Sequence, residues 1–195
     1  MLEEHSIEMA SAVAVAIVLL SWFFYRRYVR KNSSQRQIEQ VLKSHKLDEM
    51  KNVILPDGVD GLIEVDRIVL LEQGILVLRD YPINGYLFGA ESIEQWTQIV
   101  GGRSYKFSNP LHHLEHTRHA IRALIPKMPV FCHVVFTAEG NFPKGKPAAV
   151  SVIETFEQDL QRLFNGPKLP ESFRQQMWDS LKQNARIDAQ SLIRK

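Results

Sequence analysis

The strongest pattern in the chain is a continuous apolar stretch near its start. Residues 9–25 read MASAVAVAIVLLSWFFY, seventeen positions without a charged side chain. As a helix, this stretch would be about 25 Å long, close to the ~30 Å hydrocarbon core of a bilayer. Aromatic residues 22–25 end it, and such residues are enriched at membrane interfaces. The pattern predicts one N-terminal transmembrane helix within an anchor segment of residues 1–31.

Charges on the two sides of this stretch predict its orientation. Acidic residues precede it, and basic residues follow it, namely Arg26, Arg27, Arg30 and Lys31. Because basic flanks stay on the cytoplasmic side, we expect a single-pass protein of the cell inner (plasma) membrane. Its N-terminus would lie outside and its C-terminal domain in the cytoplasm. An acidic start and a bulky aromatic end are not typical of a cleaved signal peptide.

After residue 31 the hydrophobic positions recur with helical and strand periods in turn. Helices are predicted at residues 35–47, 111–125, 154–164 and 170–193. Strands are predicted at residues 62–71, 75–78, 86–88, 105–107, 130–136 and 150–153. The turn Glu72-Gln73-Gly74 predicts that the first two strands form a hairpin. This order of elements indicates an α/β fold.

Composition and charge exclude several kinds of functional site. Lys and Arg number 24 and Asp and Glu 22, so the net charge of +2 gives no basic footprint that would require nucleic-acid binding. The single cysteine, Cys132, excludes an internal disulfide and a four-cysteine zinc site. It lies in the apolar run of residues 130–136, where we expect a small buried hydrophobic side chain rather than a catalytic thiol.

Four histidines crowd the predicted helix of residues 111–125. His112 and His116 have the i, i+4 spacing that can bind a metal, but the residues between them lack the glutamate of an H-E-x-x-H site. At about 100° per residue, His112, His116 and His119 fall opposite the apolar face of the helix. This position favours a solvated polar face over a zinc site. His113 lies at the edge of the buried face.

Four segments, in this order, resemble the nuclease-related (NERD) domain, a branch of the PD-(D/E)xK nuclease superfamily. They are IEVDRIVL at residues 63–70, GILVL at residues 74–78, Asn84-Gly85 with Phe88-Gly89 and Trp96, and Asn109-Pro110-Leu111. The resemblance spans roughly residues 35–136, and Glu39 matches an early helix glutamate. It implies a PD-(D/E)xK nuclease-like domain at residues 32–153 with a central mixed sheet flanked by helices. Residues 154–195 would be a C-terminal helical extension.

The resemblance also implies where a metal site would lie. In the family, an aspartate and a second acidic residue hold Mg²⁺, and a lysine follows two positions later; hard oxygen ligands suit this ion. Asp66 matches the aspartate, whereas Arg79 occupies the acidic position, Tyr81 the lysine position and His113 the position of a helix glutamine. An arginine beside Asp66 would pair with the carboxylate in the place of the metal. We therefore expect a vestigial site in which Asp66 and Arg79 lie on adjacent strands within pairing reach.

Migrated ligands are the alternative for this site. Glu64 lies two residues before Asp66, so strand alternation would put both carboxylates on one face. Lys106 could replace the missing lysine from another strand, whereas Asp80 would point to the opposite face. Such a rebuilt site would hold Mg²⁺ on Asp66 and Glu64 and support an active nuclease.

The leading hypothesis from the sequence is a membrane-anchored, catalytically degenerate NERD protein without a cofactor. It would bind nucleic acid or a protein partner at the cytoplasmic membrane face. One alternative is the active Mg²⁺-dependent nuclease with migrated ligands. Another is a structural partner subunit of a membrane complex, with the anchor and the tail helix as its contact surfaces.

The orientation can be tested with reporters fused in turn to Lys195. We expect a fluorescent protein to be active there and alkaline phosphatase to be inactive, because the basic flank after residue 25 keeps the C-terminal domain in the cytoplasm. High phosphatase activity at the C-terminus would show that the orientation is reversed.

Overall fold

The computed structural model describes residues 17–22, 25 and 33–187. The helices are α1 at residues 33–43, α2 Pro110–Leu124, α3 Phe156–Phe164 and α4 Glu171–Asn184, with a 3₁₀ turn at Ile153–Thr155 before α3. The strands are β1 Asp48–Pro56, β2 Leu62–Leu71, β3 Gly74–Tyr81, β4 Gly85–Phe88, β5 Gln95–Val100, β6 Arg103–Ser108, β7 Val130–Phe136, β8 Gly140–Asn141, β9 Val150–Val152 and β10 Arg186–Ile187.

Most of the predicted membrane anchor lies outside the described residues. Of the apolar stretch of residues 9–25, the structure describes residues 17–22 and 25 as helical. Within the described ranges, no helix is both long enough and apolar enough to cross a bilayer.

The main sheet has six strands in the order β10-β1-β2-β3-β7-β9. The pairs among β10, β1, β2 and β3 are antiparallel, whereas β7 runs parallel to β3 and β9 parallel to β7. Helices α2 and α4 contribute to the hydrophobic core on one face of this sheet, and α1 and α3 to the core on the other. The predicted α/β fold with a mixed sheet flanked by helices is therefore confirmed.

A second sheet has the strand order β6-β5-β4-β8. Strands β4, β5 and β6 lie between β3 and α2 along the chain, whereas β8 follows β7. It joins the α2 side of the main sheet through Trp96 of β5, whose ring lies 6.3 Å from that of Phe136 on β7. Phe142 packs edge-on against both rings. The two sheets thus share one aromatic junction.

Two glycines of the family-like motif are required by this junction. Gly85 has a φ of +90°, and a Cβ there would lie 2.5 Å from the carbonyl oxygen of Ile99. A Cβ on Gly89 would lie 2.1 Å from the ring of Trp96. Because any side chain at either position would meet these groups, the glycines let β4 approach β5 and let the indole lie flat against the backbone.

Strand β1 was missed in the sequence because its alternation is interrupted. Asn52 has a φ of +50°, so Met50, Val53 and Leu55 all face the α2 side despite their uneven spacing. The predicted helix of residues 35–47 is also affected. It ends at residue 43, because the chain turns there and begins β1 at Asp48. The expected extent of this helix was wrong.

The tail also differs from the sequence prediction. The predicted helix of residues 170–193 ends at Asn184, and β10 then pairs with Val53 and Ile54 of β1. Strands β5 and β8 were missed because β5 buries only Trp96 and β8 has two residues. In both strands the apolar periodicity is too short to register.

Helix α4 is held to the main sheet by two buried side chains. Trp178 and Leu181 are fully buried in the core on the α2 side. The indole Nε1 of Trp178 donates a hydrogen bond to Oδ2 of Asp48, at 2.7 Å. The tail helix is therefore part of the folded core.

Removing the Trp178 side chain should destabilise the domain. We expect Trp178→Ala to lower the free energy of unfolding of the full chain by about 3–5 kcal/mol, because it leaves a cavity in the core and removes one hydrogen bond to the Asp48 carboxylate, which keeps its ion pair with Lys182. Urea denaturation followed by circular dichroism measures this loss. The exposed neighbour Gln176→Ala is the matched control, and an equally small loss in both variants would contradict the packing of α4.

Candidate functional site

The β2–β3 hairpin brings Asp66 and Arg79 together. Arg67 pairs with Leu78 across the hairpin, so Asp66 and Arg79 are the next opposing positions. Nε of Arg79 lies 3.2 Å from Oδ2 of Asp66, and both side chains are about one-third exposed, at 29% and 36%. The expected pairing on adjacent strands is confirmed.

Tyr81 continues this cluster along β3. The guanidinium carbon of Arg79 lies 5.6 Å from the centre of the Tyr81 ring. The Tyr81 ring in turn packs against Phe136 on β7, with 5.8 Å between centroids. Arg79 therefore lies between a carboxylate and an aromatic ring. This arrangement favours one orientation of its guanidinium group.

His113 reaches the same cluster from α2. Burial lowers the pKa of His113, and the charge of Arg79 lowers it further, against the raising effect of a hydrogen bond to the Glu64 backbone and of the Asp66 charge. The imidazole is therefore neutral at pH 7. The structure thus brings together the four predicted positions Asp66, Arg79, Tyr81 and His113, although their roles stay a prediction.

The Asp66 carboxyl has an unusual environment for a paired acid. Burial raises the pKa of Asp66 by more than the Arg79 guanidinium lowers it. The neighbouring charges of Asp80 and Glu64 add to the increase. The site therefore holds a largely desolvated carboxyl group whose ion-pair partner is Arg79.

Within the described residues, the alternative ligands do not form with Asp66 a group of three that could hold a metal ion. Glu64 is exposed. Its predicted place on the same face as Asp66 assumed regular alternation along β2. This alternation is interrupted, because Val65 and Val69, four residues apart, pack in opposite cores. Asp80 accepts a hydrogen bond from Gln35 of α1 at 2.8 Å, on the opposite face of the sheet as expected. Lys106 lies on β6 of the second sheet.

Glu39, the counterpart of the early helix glutamate, lies on the α1 side of the sheet. Its carboxylate is 3.1 Å from Nη1 of Arg67 and also pairs with Lys46 and Lys51. Burial raises the pKa of Glu39, but the hydrogen bond from Lys51 and the charge of Arg67 outweigh it and bring the pKa down to about 2. Glu39 is therefore committed to this ion-pair network.

The remaining candidate ligands are dispersed. His112, His116 and His119 are exposed, as predicted for a solvated face. Cys132 is half-buried with its Sγ 3.4 Å from the carbonyl oxygen of Leu114, and burial raises the pKa of the thiol to about 12. Among residues 17–22, 25 and 33–187, no three His, Cys, Asp or Glu side chains are grouped to hold a metal ion.

One polar cluster was missed in the sequence. His133 is buried in β7, and its Nε2 lies 2.7 Å from Oγ of Ser151 in β9. The Ser151 hydroxyl donates to Oδ2 of Asp159 at 2.6 Å, and Lys146 and Thr155 donate to the same oxygen. The available signal was a histidine and a serine inside two apolar strands, because buried polar groups need partners.

The network is structural rather than nucleophilic in its geometry. Ser151 is fully buried and lies between His133 and Asp159, so the imidazole does not bridge the hydroxyl and the carboxylate. A serine nucleophile requires the histidine in the bridging position. These residues instead join β7 and β9 to α3.

Comparison with known proteins identifies the family. The family model described as the nuclease-related domain (NERD) matches residues 30–137, more than half of the chain. The chain belongs to the NERD family, and the resemblance that the sequence motifs indicated is confirmed. An uncharacterized protein of Bacillus anthracis is 32% identical over 63 residues, which cover 32% of this chain and 30% of that protein. The chain thus spans less than a third of that relative, and no solved structure matches it.

Asn109, a residue of the family-like motif before α2, has a clear structural role. Oδ1 of Asn109 accepts from the backbone N–H of Leu111 and caps α2. Its amide nitrogen donates to the carbonyl oxygens of Glu91 and Ile93 at 3.1 and 2.9 Å. Asn109 therefore ties the loop before β5 to the helix that carries His113.

The buried network should make stability depend on pH. Burial lowers the pKa of His133 from 6.5 to about 4, so as the pH falls the unfolded chain takes up this proton before the folded chain does. Stability is then lost between about pH 6.5 and pH 4, by about 2 kcal/mol from pH 7 to pH 5. Urea denaturation at both pH values should show that His133→Gln reduces this loss, whereas the exposed His119→Gln keeps it. The same loss in all three proteins would contradict a buried neutral imidazole.

Proposed function

We propose that this chain is a membrane-anchored NERD protein whose nuclease centre is inactive and which binds nucleic acid at the cytoplasmic membrane face. The observation that carries the loss of activity is the ion pair between Arg79 and Asp66 at the expected metal position. Membrane attachment is supported by the uncharged residues 9–25 and the basic residues that follow.

The side chains around Asp66 do not fit Mg²⁺. This ion keeps most of its water and is bound through one or two carboxylates in near-octahedral geometry. Arg79 replaces the second carboxylate and fills the space beside Asp66 with a positive charge. At about 4 Å and an effective dielectric constant of ~20, each pair of unit charges interacts by about 4 kcal/mol, so a divalent ion would be strongly repelled.

The other functions of a nuclease centre are also missing from these positions. The lysine that would stabilise developing charge is replaced by Tyr81, whose side chain is a phenol and not an ammonium cation. The one cation of the cluster, Arg79, is engaged by Asp66 and by the Tyr81 ring. Activation of a water molecule by a bound metal would therefore be missing from this centre.

A binding role uses what the family fold retains without metal chemistry. Salt-dependent phosphate contacts need exposed Lys and Arg side chains, of which α2, the second sheet and the loops supply several, such as Arg122, Lys106 and Lys144. A protein partner in a membrane complex is the competing role. It would use α4, but the apolar side chains Trp178 and Leu181 of α4 are already buried.

The test is a cleavage assay on the full chain in detergent micelles, with single- and double-stranded DNA and RNA. We expect no cleavage with Mg²⁺ or Mn²⁺ and metal-independent binding that weakens as salt rises, because phosphate contacts release counterions. Asp66→Ala is the matched variant and should behave like the wild type. Metal-dependent cleavage by the wild type that Asp66→Ala abolishes would show an active site with migrated ligands.

A further inference from the structure

The outer face of the second sheet carries a set of side chains that the nuclease-like centre does not use. Tyr86 opposes Ile99, which opposes Ser104, and Phe88 opposes Thr97, which opposes Lys106. Residues directly opposite one another in a sheet share a face. These six side chains therefore form one surface, called here the outer face.

The outer face combines aromatic rings with lysines. Tyr86 is 55% exposed, Phe88 and Ile99 are half-buried, and Lys106 is exposed. Lys144, from the loop after β8, places its Nζ 5.9 Å from the centre of the Phe88 ring. The two rings lie two residues apart on β4, about 7 Å along the strand.

The charge of this sheet has one sign. The four strands β4, β5, β6 and β8 contain Arg103 and Lys106 and no Asp or Glu. Acidic side chains nearby, Glu91, Glu94 and Glu139, belong to the connecting segments. The outer face is therefore complementary to an anion that also has flat apolar groups.

The sheet is supported rigidly from behind. On its inner face, Trp96 and Leu87 are fully buried, and Trp96 packs edge-on against Phe107 with 6.1 Å between centroids. Nε1 of Trp96 donates to the carbonyl oxygen of Ala90 at 3.1 Å. Because the strand backbones are held in this way, binding orders only the exposed side chains and its ordering cost is smaller than at a mobile loop.

We propose that the outer face is a binding platform for single-stranded nucleic acid. Bases stack on Tyr86 and Phe88, and Lys106 and Lys144 contact the phosphates on either side. A single strand is favoured over a duplex because the bases of a duplex are stacked on each other and cannot reach a flat protein surface. The proposal rests on the nucleic-acid binding proposed above and gives it a location and a substrate class.

The experiment measures binding of a fluorescent thymidine oligonucleotide and of a duplex of equal length to the full chain in detergent micelles. Tyr86→Ala should weaken single-strand binding about tenfold, since stacking on one ring contributes about 1–3 kcal/mol per base. Tyr105→Ala is the matched control, because Tyr105 is an exposed tyrosine of the same sheet that alternates to the inner face. Duplex binding should be weaker than single-strand binding and unaffected by either change.

The lysines give a second readout. Lys106→Gln and Lys144→Gln should each reduce the slope of log affinity against log salt by about 0.7, whereas the exposed Lys127→Gln should leave it unchanged. Circular dichroism of each variant checks that the fold is retained.

The outcomes separate the two proposals. No binding of any nucleic acid by the wild type would overturn both the nucleic-acid role and the platform. Binding that Tyr86→Ala and Tyr105→Ala weaken equally would overturn the platform alone. In Tyr86→Trp, quenching of the added indole by the oligonucleotide supports stacking. A blue shift of its emission with phosphatidylserine vesicles, without quenching by the oligonucleotide, would identify a membrane-contacting face instead.

Discussion

The burial of β3 on both faces is the constraint on which the rest of the domain depends. Ile75 and Val77 point into the core beneath α2, while Leu76 and Leu78 point into the core beneath α1 and α3. Antiparallel β2 and parallel β7 flank this strand, so a register shift by one residue would exchange every side chain between the two cores. The same register places Arg79 opposite Asp66 where β3 leaves the core.

At that end of β3, the positions that the family resemblance aligns with a metal site carry other side chains. Alternate residues of β3 still face Asp66, but they are a cation and a phenol instead of an acid and a lysine. A guanidinium satisfies a half-buried carboxylate by direct hydrogen bonding and charge, so the fold keeps the aspartate without a metal. The proposed loss of catalysis at this position would therefore not destabilise the hairpin.

Polar networks on the α1 and α3 side link these helices to strands of the main sheet, in addition to the hydrophobic core. Glu39 and Arg67 connect α1 to β2, and Ser151 and Asp159 connect β9 to α3. Each network removes charge or polarity from water and is therefore costly unless its geometry is satisfied. On the other side of the main sheet, the second sheet carries lysines and aromatic rings on its accessible outer face.

Much of the fold was readable from local patterns. The hairpin of β2 and β3, the buried strand β7 and helices α2 and α3 have strong periodicity, because their apolar spacing follows directly from backbone geometry. Asp66, Arg79 and Tyr81 could be aligned with a family centre because motif spacing along two strands of one hairpin determines which side chains are neighbours. His113 was placed by the Asn109-Pro110-Leu111 motif that opens α2.

Other features depended on partners distant in the sequence. β1 contains a left-handed Asn52 that breaks its alternation, and β10 is a strand only because β1 offers a free edge. Whether Glu64 shares a face with Asp66, and what His133 bonds, also follow from contacts across the sheet. The sequence by itself determined the periodic elements and the residue types at the family's site positions. Tertiary structure alone decided the irregular strands, the buried networks and the outer face of the second sheet, because these arise from pairing between segments that no local pattern relates.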